Sequence, residues 1–219
     1  MAWNGEDDLG AHRAQPGTVD EQLADAGRGN GDLDLHGKNL IMVPPAVRTL
    51  THLQRLHLYN NELTGLPGWL GELARLELLD VARNRITTVP EELWVSGIDV
   101  IRLHGNPLDV RAYVDAYTER FNAAVRTGDF GLFVATLAPD AVLHFEDKPI
   151  GPFEGRDAIL AAYRELPPTD TMGVLSAEGD VCRGMHVRVA WHGGGSGTMK
   201  LGTQEGGRVC RIAVSFDPA

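Results

Sequence analysis

A period of 23 residues constrains this chain more than any other feature of its sequence. LDLHGKNL begins at Leu33, LHLYNNEL at Leu56 and LDVARNRI at Leu79, and IRLHGNPL begins at Ile101, one residue early. The first three are followed by an apolar-proline step, at Val43-Pro44, Leu66-Pro67 and Val89-Pro90. Further apolar positions follow at Val47 and Leu50, Leu70 and Leu73, and Leu93. Such units cannot bury their apolar faces alone, so neighbours must stack and close a shared core. The paired apolar residues of each L-x-L point inward from a short strand, and their neighbours point out. Asn61, Asn84 and Asn106 recur at one position, where a carboxamide can bond the backbones of adjacent turns. Lys38 stands there in the first repeat, so this ladder starts late.

The pattern over residues 33–108 is similar to the leucine-rich repeat family in its LxxLP form, which implies a short, gently curved solenoid of parallel strands, turns and short helices. Its outward strand residues are Asp32, Asp34 and His36; Arg55, His57 and Tyr59; Leu78, Asp80 and Ala82; Val100, Arg102 and His104. The row Asp34, His57, Asp80, Arg102 alternates in sign, and parallel strands about 4.8 Å apart let such neighbours pair. His36, Arg55, His57, Tyr59, Asp80, Arg102 and His104 form the candidate protein-binding face. No metal site is assigned to it.

Half of the net charge of −10 falls in the first 32 residues, and neither repeat nor later sequence is basic. A nucleic-acid role therefore lacks its electrostatic footprint. No run reaches the ~18 apolar residues of a membrane span. Met1 to Asp8 lacks the basic and apolar regions of a signal peptide, so a cytoplasmic protein is expected. Residues 1–31 read as an acidic, largely disordered tail in which Thr18-Val-Asp-Glu marks a capping box. Val19, Leu23 and Ala26 would then cover the first repeat from a short helix.

The repeats end at a helix. Asp109 can cap it, Val110, Tyr113, Val114, Tyr117, Phe121, Ala124 and Val125 form its apolar stripe, and Gly128 stops it. With no linker between, Leu108, Val110 and Val114 are expected under the last repeat, and Tyr117, Phe121 and Val125 in a second core. Two more helices and the strand AVLHFED follow. Strands are then expected over 172–178, 181–192, 197–204 and 208–217, with turns at Gly179-Asp180, Gly193 to Gly195 and Gly206-Gly207. Helices followed by a strand meander make an α+β module over 109–219.

Gly128-Asp129, LAPDAVLHF, EGRDAILAAYR and the final RIAVSFDP resemble the nuclear transport factor 2-like superfamily, nearest its SnoaL-like polyketide cyclases and ketosteroid isomerases. The resemblance implies a cone of curved sheet around the long helix, with a pocket in its mouth. It also implies a general base at the end of the first strand, where Asp147 is the match. Phe121 occupies the position of the family's helix tyrosine, and Tyr117, one turn earlier, could substitute. The family's late-strand acid has no counterpart in Gly197 to Thr203. By alternation, Met185, Val189, Trp191, Met199, Ile212 and Phe216 face the helix and, with Phe121, line an apolar ligand pocket. His186, Arg188, Lys200 and Arg211 face outward, where the resemblance implies a homodimer interface.

Two functions remain open at this point. The second module binds an apolar small molecule and cyclises or isomerises it while the repeats recruit a protein, or both modules are interaction surfaces of a scaffold. Neither reading calls for a cofactor. The same order of modules occurs in eukaryotic mRNA export factors.

Overall fold

The computed structural model describes residues 17–29, 31–204 and 207–218. The capping box forms at the start of helix α1 (Val19–Ala26). Thr18 Oγ1 accepts from Glu21 N at 3.3 Å, and the Glu21 carboxylate accepts from Thr18 N at 2.8 Å. Val19, Leu23 and Ala26 pack onto the first repeat. The rest of the expected disordered tail lies largely outside the described residues.

The 23-residue period becomes a four-stranded parallel sheet of β1 (Asp32–Asp34), β2 (Arg55–His57), β3 (Leu78–Asp80) and β4 (Val100–Arg102). Leu33, Leu56, Leu79 and Ile101 stand in register across it. Each apolar-proline step leads into a short turn of helix: 3-10 helices at Pro45–Thr49 and Gly68–Glu72, and α2 (Glu91–Trp94). Val47, Leu70 and Leu93 from these turns meet the strand leucines in one core, all fully buried.

The asparagine ladder is made as expected. Asn84 donates to Leu58 O and Val81 O at 3.0 Å each and accepts from Leu63 N at 2.9 Å. Asn61 and Asn106 repeat the arrangement one coil away on either side. Gly37, Asn60, Arg83 and Gly105 share one repeat position and all adopt positive φ. Glycine and asparagine tolerate that conformation, whereas at Arg83 (φ 51°) it is bought against the clash of Cβ with the backbone.

Helix α3 (Val110–Thr127) is capped by Asp109, which accepts from Ala112 N at 3.0 Å, and ends at Gly128 with φ 71°. After α4 (Gly131–Ala135), strand β5 (Val142–Phe145), strand β6 (Phe153–Glu154) and α5 (Arg156–Glu165) come the four long strands. These are β7 (Met172–Asp180), β8 (Gly184–Trp191), β9 (Ser196–Thr203) and β10 (Val209–Phe216). The mixed sheet runs β6-β5-β10-β9-β8-β7, with β5 parallel to β10 and every other pair antiparallel. Helix α3 and the aromatic residues of α4 and α5 cover its apolar face.

Two expectations shift. The first hairpin turns at Val181 to Arg183, not at Gly179-Asp180. Gly179 stays in the strand opposite Met185, because a Cβ there would lie 2.4 Å from Gly184 O. Asp180 instead accepts from Cys182 N at 2.8 Å and shapes the turn. Val114 belongs wholly to the second core and Val110 packs against that core alone, so Leu108 and Tyr113 make the crossing to the repeats.

The junction is a packed surface. Tyr113 sits edge-on to Trp94 at 6.0 Å, and its hydroxyl donates to Gly207 O at 2.7 Å. Arg208 donates to Ser96 O and Ile98 O at 3.2 and 3.1 Å. A Cβ on Gly207 would stand 3.0 Å from the Trp94 ring and 3.3 Å from Leu103. Among the described residues no helix is long and apolar enough to cross a membrane.

Two outcomes check this architecture. Asn84→Ala removes the hydrogen bonds of a buried turn and leaves the Leu63 N–H without its partner, so urea unfolding should lose about 3 kcal/mol. The packed junction makes far-UV circular dichroism and tryptophan fluorescence trace one coincident transition, which Arg208→Ala should split or broaden.

Candidate functional site

The strand face of the repeats carries its charges in pairs, and one of them, Asp80 with Arg102, follows the expected row. Arg102 pairs with Asp80 at 3.3 Å. His57 turns to Asp32 at 3.5 Å, and Arg55 shares that carboxylate at 3.0 Å. Asp34 bends along its own strand, where it accepts from His36 N at 3.1 Å and meets the His36 ring at 2.7 Å. Asp80 makes the same turn with Ala82 N. An aspartate at this position is drawn to the N–H two residues on, and at Asp80 one carboxylate oxygen makes that local bond while the other meets Arg102 across the sheet. Burial works to raise the Asp34 carboxyl, but the His36 N–H, the His36 ring and His57 outweigh it and hold it below its ordinary range.

His36 and Asp80 are each 7 % exposed, so they shape this face from beneath. Arg55 and His104 stand in solvent, and His57, Tyr59 and Arg102 are half-buried. Tyr59 lies between the His36 ring, 6.4 Å away, and the Arg83 guanidinium, 5.6 Å from its centroid. Arg83 was absent from the sequence-derived set, because it lies past the strand at the left-handed position that swings it back over the preceding coil. A long cation recurring one period after Asn60 was the available signal.

In the second module the residues read as a ligand pocket lie in the core. Phe121, Met185, Val189, Met199 and Ile212 are 7 % exposed or less. Phe121 is ringed by Phe130, Phe133 and Tyr163 at 6.3, 5.5 and 6.4 Å. Tyr117 is 2 % exposed and edge-on to Phe133 at 5.3 Å. Burial, with lesser effects from Tyr163 and Tyr113, pushes its phenol well above the usual value, so it stays neutral. Trp191 and Phe216 reach the rim, stacked at 5.7 Å, with Phe145 stacked 6.4 Å beyond. Asp147 stands on the exposed turn after β5 and accepts from Phe216 N at 2.9 Å. It therefore terminates β10, while Tyr117 is closed off from solvent. Asn122, which sequence periodicity passed over, pins β7 to α3 by bonding both Met172 N and Met172 O. A buried carboxamide on an otherwise apolar stripe was its signal.

His186, Arg188, Lys200 and Arg211 all lie on the opposite, outward face of the sheet. Arg188 grips Asp217 through two bonds of 2.9 and 2.7 Å, and Lys200 holds Glu146 at 2.7 Å.

Residues 32–86 match the leucine rich repeat family model, and residues 118–216 match that of the SnoaL-like domain. A leucine rich repeat match is thus followed along the chain by a SnoaL-like domain match. Among solved structures the chain is similar to a steroid delta-isomerase from Pseudomonas aeruginosa, with 14% identity over 49% of this chain and 81% of that one and a TM-score of 0.38. It is also similar to a SnoaL-like protein of unknown function from Burkholderia thailandensis E264, with 13% identity, 49% and 97% coverage and a TM-score of 0.41. A third is an NTF-2 like protein of unknown function from Burkholderia xenovorans LB400, with 16% identity, 50% and 88% coverage and a TM-score of 0.40.

The Arg188–Asp217 pair has a pH signature. Hydrogen bonds from Arg188, then from Ser196, and the Arg188 charge hold Asp217 at about 2, against an ordinary value of 3.8. A folded value below the unfolded one stabilises the fold above pH ~4, and that contribution is lost as pH falls toward 2. Carboxyl NMR titration should place the Asp217 midpoint near 2 and return it toward 3.8 in Arg188→Ala.

Proposed function

We propose that this chain is an interaction adaptor. The repeats, a short solenoid over 32–108, offer their strand face to a protein partner. The module over 109–219 braces the end of that solenoid without catalysing a reaction in its interior. The observation that carries this reading is the closed aromatic interior: Tyr117 and Phe121 are packed beneath Phe133, while Asp147 faces solvent as the cap of β10. A general base must reach the proton it removes and a donor must reach the developing oxyanion, and a neutral phenol shut in a core serves neither step. On the repeat side, Tyr59 and His104 supply amphipathic contact area, and the charges around them are already paired. A partner therefore desolvates few lone ions, which favours a neutral or mixed-charge protein surface.

One observation favours a second reading, in which an apolar metabolite binds at the rim. Trp191 and Phe216 form a partly exposed stack there, and Trp191 Nε1 is buried with no hydrogen-bond partner among the described residues.

A photo-reactive amino acid at Tyr59 should crosslink one discrete polypeptide in cells, while the same group at the exposed Leu132 of α4 should not. Equal labelling at both sites, or none at Tyr59, would sink the adaptor reading. Titration with a neutral steroid should leave Trp191 emission unchanged; a saturable shift would favour the rim-binding reading instead.

A further inference from the structure

The outward face of the second sheet contains a hollow that neither reading uses. A cavity of 660 Å³ is lined by His144, Arg183, His186, Lys200 and Arg211, with Glu146 at its edge. Its form follows from register. His186, Lys200, Ala213 and His144 stand side by side across β8, β9, β10 and β5, and Arg211 stands opposite Gly202 in the next row. Ala213, Gly202 and Gly184 give the sheet a floor without side-chain bulk, and the long cationic side chains rise around it as walls.

The charge of this hollow opposes that of the chain, whose net charge is −10. Lys200 is held by Glu146. No hydrogen bond or ion pair engages the Arg183 or Arg211 guanidinium among the described residues, and the same holds for the His144 and His186 rings. Other arginines are matched, Arg48 with Glu72, Arg55 with Asp32, Arg111 with Asp115, Arg126 with Glu119 and Arg188 with Asp217, whereas the exposed Arg75, Arg83 and Arg164 stand apart from one another and not around a shared hollow. Two unmatched guanidiniums beside two imidazoles in a concave space focus a positive potential. A guanidinium fork fits carboxylate and phosphate oxygens two at a time. The volume is that of a small-molecule site. A second copy of this chain is a poor occupant, because a two-fold contact would press the same cations against each other.

We propose that this hollow binds a small multivalent organic anion, a phosphate or carboxylate compound, clamped between Arg183 and Arg211 over the Ala213 floor. The ligand binds on the sheet face away from the aromatic interior, so the site operates whether or not that interior does chemistry.

Isothermal titration calorimetry of the full chain with pyrophosphate and with citrate tests it. At least one probe should bind saturably at one site per chain, more weakly as salt is raised. Arg183→Ala and Arg211→Ala should each weaken binding about tenfold, and both residues are exposed, so thermal unfolding should be unchanged. Ala213→Leu keeps every charge and should abolish binding by filling the floor. Tighter pyrophosphate binding assigns a phosphate compound, and tighter citrate binding a polycarboxylate. The proposal is overturned if neither probe saturates, or if binding survives Arg211→Ala and Ala213→Leu unchanged. A homodimer that covers Lys200 and Arg211 and admits neither probe would overturn it as well. None of these results bears on crosslinking at Tyr59, so the two readings fail separately.

Discussion

A stack of repeats has two ends, and each presents apolar side chains that no further repeat will cover. Here the first end is closed by Val19, Leu23 and Ala26 from α1. At the other end the last coil leaves Ile98, Ile101 and Leu103 to be covered. A dedicated cap would have sufficed, but this chain uses its second module. Tyr113 of α3, Cys182 of the β7–β8 turn and Gly207 before β10 all pack there. Those three segments come from distant parts of the module, so the end of the repeats is covered only where the second module is folded.

That dependence sets the relation between the two faces. The guanidinium of Arg208 and the hydroxyl of Tyr113 satisfy backbone carbonyls on opposite sides of the junction. A buried carbonyl without a partner costs more than a hydrogen bond contributes, so the junction resists opening. Between the repeats and the second module run the two Arg208 bonds and the Trp94–Tyr113 ring contact.

Charge is distributed with the same economy. On the repeat face each carboxylate is committed within its own coil or to the adjacent strand, so the surface carries many ions and little field. The outward sheet face differs: its small-residue floor leaves a hollow, and two of the arginines around it answer to no carboxylate among the described residues.

Much of this fold was legible in the sequence because it rests on short-range rules. The period of 23 implied the parallel register, the asparagine ladder and the inward leucines, since each repeat sees the same neighbours. The cap at Thr18, the ends of α3 at Asp109 and Gly128, and the alternation along β8, β9 and β10 are likewise local. Three matters were decided only by tertiary structure. Whether Phe121, Met185, Val189, Met199 and Ile212 wall a cavity or fill one depends on how far Phe130, Phe133 and Tyr163 reach from other elements, and no strand pattern records that volume. That the Asp34 carboxylate also binds along its own strand, to the His36 N–H and ring, follows from how the turn after β1 places His36. And the hollow over Ala213 exists because residues from β5, β8, β9, β10 and the β7–β8 turn converge there from distant parts of the chain, where composition averages their charge away.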